Sequence, residues 1–135
     1  GLSRRIDAAG TAEEVMATCQ GHWAEFDGGN VASVFRWLAK SRSLGHHQLR
    51  KAVSEKVFRT EIFEARHLTT IAWSCAVLGL HDSPLLAALS AAAIPTLSET
   101  TAPGLCKMAW ACAKLGFTDT PLLYALAAPA RPRSQ

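Results

Sequence analysis

Apolar positions recur along this chain at helical spacing, and the spacing itself repeats. Leu68, Ile71, Cys75 and Leu78 form one stripe that fits a helix buried on one side. Gly79 follows as a C-terminal cap, because glycine takes the left-handed conformation without steric cost. Asp82 or Ser83 then caps a second helix, with Pro84 in its first turn and Leu85, Leu86 and Leu89 on its apolar face. Pro95 ends it. Residues 102–127 repeat this logic with Gly116, Thr120, Pro121, Leu122, Leu123 and Leu126. Shifted by 37, residues 65–90 and 102–127 share 14 identities in 26 positions, where chance gives roughly two or three.

A weaker copy lies upstream at the same spacing. Val31, Val34, Leu38 and Ala39 stand 37 residues before Leu68, Ile71, Cys75 and Ala76, and Phe26 stands 37 before Phe63. Ahead of it, Thr11-Ala12-Glu13-Glu14 reads as a capping box that opens a further helix with Val15, Met16, Cys19 and Trp23 on its apolar stripe. The pattern predicts helices near 11–26, 29–43, 46–60, 65–79, 83–94, 103–116 and 120–128. No sustained period-2 alternation argues for strands. The expected fold is all-α, an α-solenoid of antiparallel helix pairs with a 37-residue repeat. Its expected layout is a lead-in helix at 11–26, repeats at about 28–64, 65–101 and 102–128, and a polar tail at 129–135. Three units are about the minimum for stability, so flanking repeats or a partner are expected to cover the ends.

Length suits one domain, and 49% hydrophobic with 19% charged residues is ordinary for a chain with a buried core. No run of 18 apolar residues occurs, so no membrane span is expected. The four cysteines form no CxxC; Cys75 and Cys112 share a repeat position and read as small core fillers, which points to a reducing compartment. The chain begins with Gly1, as a processed protein or a piece of a longer one would.

The net charge is +3, but 8 of the 14 basic residues lie between Arg36 and Arg66, an excess that suits a polyanion. A solvated helix face is the plainer explanation. Arg36 and Lys40 are four apart and share a side opposite the Val31/Val34/Leu38 stripe. Lys114 stands 74 residues after Lys40, with Lys107 on a similar side. Arg36, Lys40, Lys107 and Lys114 are candidate phosphate contacts, which give affinity without sequence choice. Arg50, Lys51, Lys56 and Arg59, with His46 and His47, form a second basic set on the following helix, and Arg66 adds to the excess. Trp73 and Trp110 align with Arg36 and either stack on a splayed base or pack between repeats; the flanking alanines favour packing. Trp23 and Trp37 read as structural.

No GxSxG, HExxH or P-loop pattern occurs, and His67 and His81 face Gly104 and Thr118 in the next copy. No enzyme, cofactor, metal or small-molecule substrate is therefore expected. The rival to nucleic-acid binding is a protein-binding scaffold.

The Ala72-Trp73-x-Cys75-Ala76-x-Leu78-Gly79 and Ala109-Trp110-x-Cys112-Ala113-x-Leu115-Gly116 cores resemble organellar helical-repeat proteins of the heptatricopeptide and octotricopeptide type, which occur with RAP-domain and FAST-kinase-like proteins. Asn30 to Lys40 resembles the opening of such a repeat, and Arg5-Ile6-Asp7-Ala8-Ala9 with Glu13-Glu14-Val15 resembles the lead-in. The proline-rich PPPEW segment of many octotricopeptide repeats is missing, which favours the 37-residue type. No RAP domain follows residue 128, so the nuclease-like activity linked to that domain gains no support. The resemblance implies RNA binding in a mitochondrion or plastid. It suits a subunit contacting rRNA in a mitochondrial ribosome or related ribonucleoprotein, with neighbouring proteins as partners, or a fragment of a longer RNA maturation factor.

Overall fold

The computed structural model describes residues 1–42, 47–60 and 63–127. Among them the chain is all-helical, without a strand. The α-helices are α1 Leu2–Ala8, α2 Ala12–Cys19, α3 Gly28–Ser41, α4 His47–Arg59, α5 Ala65–Leu78, α6 Ser83–Ala93, α7 Ala102–Leu115 and α8 Thr120–Ala127. Two 3-10 segments, Trp23–Glu25 and Ile94–Glu99, complete the described elements. The expected tail at 129–135, and His46, lie outside the described residues.

Local chemistry sets the ends. Asp27 accepts from the Asn30 amide at 2.9 Å while the Asn30 side chain accepts from the Asp27 amide at 3.0 Å, so α3 opens on a reciprocal cap. Asp82 is the residue that caps α6, accepting from the Leu85 amide at 3.1 Å. Asp119, rather than Thr120, does the same for α8 through the Leu122 amide at 3.1 Å. Gly79 and Gly116 both have positive φ, and the following amides, of Leu80 and Phe117, each reach back 2.9 Å to the carbonyls of Cys75 and Cys112. Arg42 ends α3 in the same left-handed conformation, φ 53°, at the position 37 residues before Gly79.

Two parts differ from expectation. The helix expected over 11–26 stops at Cys19, because the chain turns at Gly21, φ 82°, and resumes only as the 3-10 turn Trp23–Glu25. Thr11 does cap α2, accepting from the Glu14 amide at 3.1 Å, but the Glu14 carboxylate bonds the Gly10 amide rather than closing the box on Thr11. An additional helix, α1, precedes it, held by the fully buried Ile6 and by the Trp37 indole, which donates to the Ala9 carbonyl at 2.8 Å. Trp23 lies against Phe26 with ring centroids 4.6 Å apart and planes tilted by 39°, so Trp23 and Trp37 both make contacts within the fold.

The helices pack in two rows. α1, α3, α5 and α7 lie side by side in chain order, and α4, α6 and α8 follow one another behind them. Each front helix also packs on the helix that follows it, α1 on α2, α3 on α4, α5 on α6 and α7 on α8. Helices α3, α5 and α7 start at 28, 65 and 102, each 37 residues after the last. One continuous core runs between the rows, with Phe35, Leu38, Leu49, Leu68, Ile71 and Leu85 among its fully buried members. Cys19, Cys75 and Cys112 are buried, and desolvation pushes the Cys75 thiol up to about 12 and Cys19 to about 11. No helix is long and apolar enough to cross a membrane among the described residues.

Candidate functional site

Packing helices side by side leaves a groove between each pair, and on the front row these grooves are polar. The α1/α3 groove is lined by Asp7, Arg36, Trp37 and Lys40. The α3/α5 groove is lined by Ser3, Ser33, Arg36, Arg66, His67 and Thr70, over Gly29 and Ala32. The α5/α7 groove carries Arg66, Thr69, Thr70, Thr100, Thr101 and Lys107, with one acid, Glu99. Beside it, Trp73, Cys106, Lys107 and Trp110 form a shallower depression.

These residues fall in columns. Gly29, Arg66 and Pro103 are 37 apart; so are Ser33, Thr70 and Lys107, and Arg36, Trp73 and Trp110. Lys40 and Lys114 belong to a further column with Val77 between them. Only the Ser33, Thr70 and Lys107 column is basic or hydroxyl-bearing throughout; Arg66 stands between Gly29 and Pro103, and Arg36 gives way to Trp73 and Trp110. Arg66 touches two successive grooves and so links them.

Of the predicted residues, Arg36, Lys40, Arg66, Lys107 and Lys114 stand on this front row. They differ in availability. The Arg36 guanidinium holds Asp7 through one nitrogen at 2.7 and 2.9 Å and is half-buried, so it ties α1 to α3. Arg66 pairs with Glu64 at 2.8 Å, with both side chains largely exposed. Lys40, Lys107 and Lys114 are exposed and form no salt bridge among the described residues. Among the described residues, Lys40 and Lys107 thus line the grooves without a salt bridge, Arg36 and Arg66 line them while paired to Asp7 and Glu64, and Lys114 stands on α7.

Arg50, Lys51, Lys56 and Arg59 do not join them. They lie on α4, which packs against α3 and α6 in the rear row. Arg50 contacts the His47 ring at 3.1 Å. This second basic set faces a different part of the surface from the grooves.

Charge alone singles out the cations but misses the hydroxyls. Ser33, Thr69, Thr70, Thr100 and Thr101 line the grooves yet carry neither charge nor apolar periodicity. Comparing polar residues at 37-residue spacing finds Ser33 and Thr70 in the Lys107 column. His67 has no histidine in its column, and its role is local: its Nδ1 accepts from the Glu64 amide at 3.3 Å and helps start α5. Desolvation, then the Arg66 charge, lower its pKa below the ordinary 6.5, against smaller opposing effects of Glu64 and Asp27. Trp73 is half-buried against the core, whereas Trp110 is 45% exposed. No family model, no curated protein and no solved structure matches the chain.

Proposed function

We propose that this chain is a short α-solenoid with a 37-residue repeat that binds RNA along its front row of grooves, without catalysis. The observation that carries the reading is that three successive grooves of one face are each lined by basic side chains, Arg36 and Lys40 in the first, Arg36 and Arg66 in the second, and Arg66 and Lys107 in the third. Lys40, Lys107 and Lys114 supply charge for phosphates. The exposed Thr101 hydroxyl accepts from the Gly104 amide and keeps its proton to donate to a phosphate or ribose oxygen, while Thr70 and Thr100, whose hydroxyls donate to the Arg66 and Thr96 carbonyls, accept from a ribose 2′-hydroxyl. Arg36 and Arg66 exchange their carboxylate partners for phosphate as RNA arrives, which weakens their net contribution.

Few repeats favour a structural role. If one repeat reads one base, three repeats read about three bases, too few to select a transcript. The proposed setting is therefore a mitochondrial ribosome or related ribonucleoprotein, where the chain holds rRNA together with neighbouring proteins. The resemblance of the Ala-Trp-x-Cys-Ala cores to organellar repeat proteins supports that setting, with a plastid as the alternative. In an assembly that wraps both rows, Arg50, Lys51, Lys56 and Arg59 of α4 add a second contact.

A salt titration tests the proposal. Neutralising three to five phosphates of single-stranded RNA gives a slope of roughly −2 to −3.5 in log K against log salt. A slope near zero with an unstructured oligoribonucleotide, measured by fluorescence anisotropy, would leave the protein-scaffold reading instead.

A further inference from the structure

The four tryptophans fall into two groups. The Trp37 indole donates to the Ala9 carbonyl at 2.8 Å, and Trp23 lies against Phe26, so both make their contacts inside the fold. Trp73 and Trp110 stand one repeat apart on α5 and α7, and neither indole N–H finds an acceptor among the described residues. The two line one depression on the front row, together with Cys106 and Lys107.

The walls of this depression are α5 and α7, which already pack side by side, so Trp73 has its neighbouring helix in place. It is nevertheless only half-buried: part of the ring rests on the core and part opens into the depression. Arg36, 37 residues earlier in the same column, likewise lines the grooves on both sides of α3. The column therefore lies on the groove side of the row and not in the contact between helices. At about 240 Å3 the depression is smaller than the roughly 300–1,000 Å3 of sites that enclose a small molecule, so it fits one flat ring laid against its wall.

We infer that this depression takes one unpaired nucleobase, stacked on Trp73, from the RNA proposed to lie along the front row; the inference rests on that reading. Chemistry selects the occupant. An indole face attracts any flat π-system, whatever the base. It also attracts cations, but the exposed Lys107 ammonium, which forms no salt bridge among the described residues, repels them and favours an anion beside the ring. A nucleotide carries both groups on one unit, a base and a phosphate. Lys107 also lines the adjoining α5/α7 groove with Arg66, Thr100 and Thr101, so a strand whose base enters the depression continues its backbone into that groove. Trp110, 45% exposed, offers a second ring on the α7 side. Because packing already holds the Trp73 indole, stacking on it costs little ordering.

Binding of an unstructured oligoribonucleotide to the full chain, followed by fluorescence anisotropy over a range of potassium chloride, tests this. Trp73→Leu keeps apolar bulk against the core but removes the ring. It should lower affinity roughly 5- to 150-fold at every salt concentration and leave the salt slope unchanged, since stacking releases no counterions. Trp73→Phe keeps a ring and should recover part of that loss. Binding should also quench tryptophan emission, and Trp73→Phe should reduce the quench. Circular dichroism checks the fold of both variants; should Trp73→Leu lose helicity, the phenylalanine variant and the quench decide. A wild-type slope near zero would overturn the RNA reading and the stacking with it. A wild-type slope of the expected size would leave the phosphate contacts standing, but the stacking would fall to full binding by Trp73→Leu, to equal losses in the two variants, or to a quench that Trp73→Phe does not change.

Discussion

Arg42 occupies a left-handed cap that its two counterparts fill with glycine, so Arg42→Gly should stabilise the protein. A non-glycine residue in that conformation costs roughly 1–2 kcal/mol, whereas glycine gives up about 0.5–1 kcal/mol of additional chain entropy on folding. The difference leaves a gain of about 0.5–1 kcal/mol. Arg42 is exposed and forms no salt bridge among the described residues, so removing its side chain has little to offset that gain. The reverse changes, Gly79→Ala and Gly116→Ala, should each cost a similar amount. At neither glycine would an added Cβ meet anything within 4 Å, so the penalty is that of the backbone alone. Unfolding entropy of about 2.1 cal/mol/K per residue gives about 0.28 kcal/mol/K over 135 residues, so these changes move Tm by about 2–3.5 °C. Thermal melts followed at 222 nm, backed by urea titrations with unchanged m-value, measure them. Loss of stability in Arg42→Gly, or indifference to both alanines, would refute equivalence of the three helix ends.

Asp7→Asn removes the charged partner of Arg36; the pair is part-exposed, so stability falls by no more than about 1 kcal/mol in thermal melts, and under the proposed function RNA affinity should rise because the guanidinium is released. In dilute native protein Cys106 reacts with a thiol reagent, whereas Cys19, Cys75 and Cys112 wait for unfolding, which a chromogenic disulfide assay counts. Cys75 carries a folded pKa of about 12 above its ordinary 9.0, so its contribution to stability is constant below pH 9 and declines as pH rises from 9 towards 12. His67 has the opposite sign: its folded pKa lies below 6.5, so the unfolded chain takes up the proton first and stability is lost as pH falls through 6.5. His67→Gln should flatten that part of a pH series of urea midpoints.

The later half of the chain is legible because one signal repeats there. Gly79 and Gly116, Asp82 and Asp119, and the leucines between them each state the same local geometry twice, so chance agreement is small. The first half speaks less plainly. Helix α1 has seven residues and no side-chain cap, and its stability comes from Ile6 and from Trp37 reaching back across 28 residues. Gly21 interrupts a stripe that otherwise looks continuous from Val15 to Trp23, because periodicity registers apolar spacing and not a positive φ. Arg42 hides a helix end for the same reason: nothing in arginine's chemistry announces the left-handed region. Among the basic residues, charge and spacing find the front-row lysines, but the Arg36–Asp7 pair joins positions 29 apart and needs the packing of α1 on α3 to exist. The separation of Arg50, Lys51, Lys56 and Arg59 from the grooves likewise follows from which row α4 joins, a tertiary fact.

The most direct test of the proposed RNA binding along the front row compares two charge reversals against an unstructured oligoribonucleotide over a range of potassium chloride. Changing Lys40, Lys107 and Lys114 to Glu should weaken binding at low salt and lower the slope by about 2, at about 0.7 for each phosphate no longer neutralised. Reversing Lys51, Lys56 and Arg59 on α4 should leave that slope nearly unchanged. Equal weakening from both sets, weakening from the α4 set alone, or full binding by the groove variant would contradict the account.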